Sequence, residues 1–111
     1  GAGLETLVLQ ELRALNDYFY FDYNLFYWRT QTGLEVDFIL CGPKGLIAIE
    51  IKRSSVISKK DLKGLQAFCP DYPQAKGYLL FIGTHKEYHG PITAIPFLEA
   101  FKGLKEILES P

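Results

Sequence analysis

The stretch Gly33–Arg53, GLEVDFILCGPKGLIAIEIKR, decides how the rest of the chain is read. It has the form of two apolar strands, over residues 35–41 and 46–52, joined by a Gly42-Pro43-Lys44-Gly45 turn. Each strand carries acidic residues that a purely structural strand would not select. Side chains alternate along a strand with a period of two, which places Glu35, Asp37 and Ile39 on one face and Val36, Phe38 and Leu40 on the other. The same count puts Glu50 and Lys52 together, opposite an uninterrupted strip of Ile47, Ile49 and Ile51. If the hairpin sets Asp37 beside Glu50, two carboxylates and a lysine converge on an otherwise buried sheet. Burying charge is costly unless the charge is paired or binds something, so the hairpin marks a candidate site.

Upstream, Leu4, Leu7, Val8, Leu12 and Leu15 recur at helical spacing and predict an amphipathic helix over residues 4–15, closed by Asn16-Asp17. Glu5 and Glu11 fall inside or at the edge of its apolar arc, where a carboxylate needs a partner or must reach solvent. The aromatic run Tyr18–Tyr23 and a strand over residues 26–30 follow, with core packing as their expected role. Downstream, Ser58 and Asp61 form a capping signature for a helix over residues 59–69, which Pro70 is expected to stop. The continuous apolar run Gly77–Gly83 suits a central strand covered on both faces. A loop over Thr84–Pro91, a strand at Ile92–Ile95 and one last helix entered through Pro96 complete the chain. The order α-β-β-β-α-β-β-α predicts an α/β fold with helices packed against a twisted sheet.

With 111 residues the chain is read as a single domain, 1–111. A net charge of −1 means that any affinity for nucleic acid has to come from a local patch. Cys41 and Cys69 are read as reduced core thiols of a cytoplasmic protein. No apolar run reaches the about 18 to 20 residues of a membrane span, so no membrane partner is expected. The chain has no methionine, and Gly1-Ala2-Gly3 is read as including an expression scar on a domain cut from a longer polypeptide.

The words GLETLVLQEL (3–12), YWRTQTGLEVDF (27–38), IEIKRS (49–54), DLKGLQAF (61–68) and Ile95-Pro96-Phe97-Leu98 together resemble the PD-(D/E)XK nuclease superfamily. Within it, the chain looks like the uncharacterised nuclease-like domain at the C-terminus of many prokaryotic AAA+ ATPases. The literal Pro-Asp is absent, since Val36 precedes Asp37. The resemblance implies a three-layer α/β/α restriction-endonuclease-like fold with an αβββαβ core. It also implies a metal-dependent nuclease, acting on DNA, in partnership with an ATPase module of the parent chain.

Phosphodiester cleavage needs an activated water and neutralisation of charge on the transition state. Carboxylates such as Asp37 and Glu50 suit Mg2+ or Mn2+, which keep positions for water and phosphate. The backbone carbonyl of Ile51 is a further candidate ligand, and Lys52 a candidate for orienting the water. Glu5 would complete the site from the first helix, with Glu11 as the fallback and Glu35 as an added group or an exposed strand-end charge. Arg53, Lys59, Lys60, Lys63 and Gln66 are candidates for nucleic-acid contact, against the plainer reading of a solvated helix face. His85 and His89 lack the zinc-helix pattern and are read as surface residues. Two further readings stand beside the nuclease: a catalytically inactive module that binds nucleic acid or regulates the ATPase, and an interaction domain using the aromatic segment 18–28. The oligomeric state is left open.

Overall fold

Ile47, Ile49 and Ile51 line one side of strand β3 (Gly45–Ile51), Leu46 and Ala48 the other, and all five are buried. A strand apolar on both faces has to be covered twice. The structure, a computed structural model that describes residues 2–111, covers it with a helical layer on each side. Gly1, part of the expected scar, lies outside the described residues.

The sheet also contains β1 (Asn24–Arg29), β2 (Glu35–Gly42), β4 (Lys76–Phe81), β5 (Glu87–His89) and β6 (Ile92–Pro96), in the order β1-β2-β3-β4-β6-β5. The first three strands are antiparallel, β3, β4 and β6 run parallel, and β5 is an antiparallel edge. Helices α1 (Ala2–Phe19), α3 (Phe97–Lys102) and α4 (Leu104–Glu109) cover one face, through Val8, Leu12, Ala100, Leu104 and Leu108. A 3-10 turn at Lys59–Leu62 and helix α2 (Lys63–Asp71) cover the other, through Leu62, Leu65, Phe68 and Cys69. Parallel neighbours require a crossover connection, and α2 supplies it between β3 and β4. The expected α/β fold is therefore present as a three-layer α/β/α sandwich with a mixed sheet. None of the described helices is long and apolar enough to cross a membrane.

Several boundaries differ from expectation for local reasons. Helix α1 continues past Asn16-Asp17 and ends where Tyr20 turns to a φ of 55°. The Asn16 amide does not close the helix but brackets a later residue. Its Nδ2 donates to the Tyr23 carbonyl and its Oδ1 accepts the Tyr23 N–H, both at 2.9 Å. Asn16→Ala removes both bonds and is expected to cost about 1–3 kcal/mol, read from the midpoint of a urea titration.

The aromatic run divides. Phe21 and Tyr23 enter the core, whereas Tyr18, Tyr20, Phe26 and Tyr27 are exposed, contrary to the expected core role. Cys41 is also exposed, and only Cys69 is a core thiol. Asp61 accepts the Ser58 N–H at 3.0 Å, as the capping signature anticipates. Pro70 sits within the last turn of α2 instead of stopping it. Proline's fixed φ suits a helix, and the carbonyl its missing N–H frees belongs to the exposed Gln66. The 84–91 loop holds the short strand β5, and the last helix breaks at Gly103. The apolar stripe Phe97, Phe101, Leu104 and Leu108 carries on across that break.

Candidate active site

The ladder between β2 and β3 runs from the Gly42/Gly45 turn to the pair Phe38/Ile49 and stops there. Asp37 and Glu50 come next, and their side chains take over from the backbone. Glu50 Oε1 accepts the Asp37 N–H at 3.1 Å, and Asp37 Oδ2 accepts the Ile51 N–H at 2.8 Å. The strands part at the carboxylate pair, and the parting opens a cavity of about 600 Å3. Its wall includes Glu5, Glu35, Asp37, Glu50, Lys52 and Lys63.

A bulge sets the aim of these groups. Phe26 pairs with Ile39 and Trp28 with Val36, so Asp37 and Phe38 together stand opposite Tyr27. Strict alternation therefore fails in β2: Val36 and Ile39 both pack toward α2, while Phe38 and Leu40 pack toward α1. Val36 and Ile39 share a face, and Phe38 lies opposite Val36, which corrects the face assignment made from the period of two. Asp37 thus stands at the step between the two faces, its carboxylate turned to β3, and Glu5 from the first turn of α1 reaches the same cavity. Glu50 shares the parity of Ala48 and comes from the α2 side.

Glu50 is only 6% exposed. Burial, reinforced by the neighbouring Asp37 carboxylate, pushes its carboxyl up to about 9, while Lys52 pulls the other way. Lys52 Nζ stands 3.9 Å from Glu50 Oε2, the far limit of an ion pair, on a side chain 36% exposed. That distant, solvated lysine compensates the buried carboxylate incompletely. The Lys52 N–H donates to Leu80 on β4, and a trans peptide aims its C=O the opposite way. The Ile51 carbonyl consequently points to the β2 side, toward Asp37, where it can serve as a third oxygen.

Among the other sequence candidates, Lys60 and Lys63 reach the cavity wall. Lys59 and Arg53 are exposed outside that wall, as is Gln66 on α2, and Glu11 is half-buried farther along α1. Arg53 lies against the start of α1, its Nη2 within 3.4 Å of where a Cβ on Gly3 would stand. His85 and His89 are surface residues near β5, and His89 Nε2 is 3.0 Å from Glu87 Oε1. Among the described residues no three His, Cys, Asp or Glu side chains gather closely enough to form a metal-holding cluster.

Gly64 is the functional position that motif reading passed over. A Cβ there would fall 2.0 Å from the Glu35 carbonyl and 3.5 Å from Glu50 Oε2, so α2 can lie against the site only through a glycine. The signal was available: a glycine inside a helix costs about 1 kcal/mol and calls for a packing reason.

A three-layer α/β/α domain with a carboxylate pair where two central strands part is the class of protein that fold and site define. The chain belongs to the family described as Domain of unknown function (DUF4143), whose family model matches residues 1–100. No curated protein matches it.

Proposed function

We propose that this domain is a metal-dependent nuclease of the PD-(D/E)XK type, hydrolysing phosphodiester bonds of DNA in partnership with an ATPase module. The observation that carries this reading is the buried, incompletely compensated Glu50 set beside Asp37 at the parting of β2 and β3. The donor set fits Mg2+ or Mn2+, hard cations that take one or two carboxylates and keep their remaining positions for water and phosphate. Such an ion, when bound, would lower the pKa of a coordinated water and offset charge on the phosphate.

The residues divide the remaining tasks. Asp37 Oδ1 and Glu50 Oε2 are not engaged by the backbone bonds, and a cation would take them together with the Ile51 carbonyl in place of the long Lys52 contact. Lys52, close to Glu50 yet solvated, is placed to orient a water or stabilise phosphate charge. Glu5 contributes from α1 across the cavity, and Lys60 and Lys63 supply a basic rim for phosphates on either side of the scissile bond.

Calorimetric titration with Mn2+, beside a supercoiled-plasmid nicking assay, tests the reading. Asp37→Asn keeps an acceptor for the Ile51 N–H while weakening the ligand. It is expected to lower nicking on the order of a hundredfold or more with folding intact. Absence of metal uptake at millimolar concentration, with no nicking above the variant, would sink the enzyme reading. That result would favour an inactive module, for which each carboxylate's bond to a backbone amide supplies a purely structural reason to exist.

A further inference from the structure

Strand β1 forms one edge of the sheet, beside the strand that carries Asp37. Its odd-numbered residues share a face, and Leu25 packs into the α1-side core, so Tyr27 and Arg29 project on that side as well. Tyr27 stands directly opposite the bulge that holds Asp37. Tyr27 is 58% exposed, on a strand where a buried ring would be the ordinary choice. Arg29 pairs with Glu35, a cavity-wall residue, across the ladder, and both charges act on the Tyr27 phenol. Partial desolvation, then the Glu35 carboxylate, raises the phenol above its usual range, with Arg29 opposing. The phenol thus has charged neighbours while the ring stays open to solvent.

We propose that Tyr27 is a stacking platform for an unpaired nucleobase, which makes single-stranded nucleic acid, with Arg29 and the Lys60/Lys63 rim gripping its backbone, the substrate form preferred at this site. This rests on the nuclease reading and specifies it. Aromatic rings take bases of any sequence because every base offers a π face, and a charged groove tracks the phosphates. Inside a duplex those faces are stacked on one another and inaccessible. A ring on the strand next to the one that carries Asp37 therefore finds a partner only in a strand already single, at a frayed end or in a gap. Charge placement agrees with this. Arg29 lies on the β1 side of the cavity and Lys60 and Lys63 on the α2 side, so an anionic strand has cations on both flanks of the carboxylates. Phe26 is comparably exposed, at 55%, but has the opposite parity and faces the α2 side, opposite to Tyr27. It serves as an internal control for general stickiness.

The experiment is fluorescence anisotropy with a short labelled oligothymidine and with a duplex, in Ca2+ to limit cleavage, for the unaltered protein, Tyr27→Ala, Tyr27→Phe and Phe26→Ala. The expected result is tighter binding of the single strand. Tyr27→Ala should weaken it on the order of tenfold, Tyr27→Phe should hold it within about twofold, and Phe26→Ala should leave it unchanged. Duplex binding as tight as single-strand binding, or single-strand binding indifferent to Tyr27→Ala, overturns the platform. If metal-dependent nicking persists in either of those cases, the nuclease reading survives without it. Absence of binding to both probes, together with absence of nicking, overturns both. Circular dichroism on each variant separates loss of the platform from loss of the fold.

Discussion

Glu50→Gln is expected to stabilise the protein at and above neutral pH and, under the proposed function, to abolish uptake of a divalent cation. The sign follows from the displaced titration. The Glu50 carboxyl is raised from 4.5 to about 9, so between those values the folded state holds a proton that the unfolded state has released. Its contribution to stability is complete below about pH 4.5 and is lost as pH rises toward about 9. A glutamine has nothing to titrate, and its amide can still accept the Asp37 N–H and donate to the Asp37 carboxylate. The variant should therefore gain on the order of 3 kcal/mol near pH 7, equivalent to a melting temperature higher by on the order of 10 °C, and nothing near pH 4. Scanning calorimetry across that range reads the effect directly. A variant no more stable than the parent at pH 8 would mean that the fold carries ionised Glu50 without penalty. The paired expectation, loss of Mn2+ heat in the same variant, makes stability and ligand capacity move in opposite directions, as they do where a site retains a charge the fold disfavours.

Gly64→Ala is the second large effect, and it acts through backbone packing. The added methyl would meet the Glu35 carbonyl at 2.0 Å, a contact that only movement of α2 or β2 can relieve. Both elements are held by buried neighbours, Leu65 and Phe68 on one and Val36 on the other. Overpacking against such surroundings typically costs 1–3 kcal/mol, and a backbone obstacle belongs at or above the upper end, about 3 kcal/mol. Urea denaturation would register it as a lower midpoint. An unchanged midpoint would show that the start of α2 gives way freely. Because Gly64 also lies against Glu50, the same substitution is expected to weaken Mn2+ uptake in protein that remains folded, which calorimetry below the denaturation midpoint can separate.

The architecture was legible because its signals are local and repeated. The isoleucine strip of β3, the apolar run of β4 and the helical stripes of α1 and α2 each announce a buried face, and they met as expected. The carboxylate pair was legible for the opposite reason: Asp37 and Glu50 violate the pattern around them. What escaped was geometry that depends on two segments at once. The bulge at Asp37-Phe38 appears only when β2 is laid against β1, because the surplus residue has no signature within β2 itself. The exposure of Phe26 and Tyr27 depends on β1 being an edge strand, which is a fact of sheet order and not of composition. The extension of α1 to Phe19 follows from Asn16 being recruited by Tyr23, seven residues further along the chain. Strand β5 has no signature of its own, because three residues at a sheet edge carry too little alternation to stand out from a loop.

The two bonds that replace the ladder give Asp37 and Glu50 a structural task that does not depend on the proposed chemistry. Asp37 and Glu50 each satisfy a backbone amide that the parted strands would otherwise leave unpaired, and an apolar replacement at either would orphan it. A descendant that had stopped using the cavity would still be held to an acid or an amide at both positions. Lys52 carries no such obligation: its side chain is 36% exposed, and its ion pair with Glu50, at 3.9 Å, is longer than the Lys86–Glu99 pair at 3.3 Å or the His89–Glu87 pair at 3.0 Å. Among relatives, then, the lysine is the position free to drift once the chemistry is gone, and its retention or loss should track activity more closely than the acidic pair by which such a chain is first noticed.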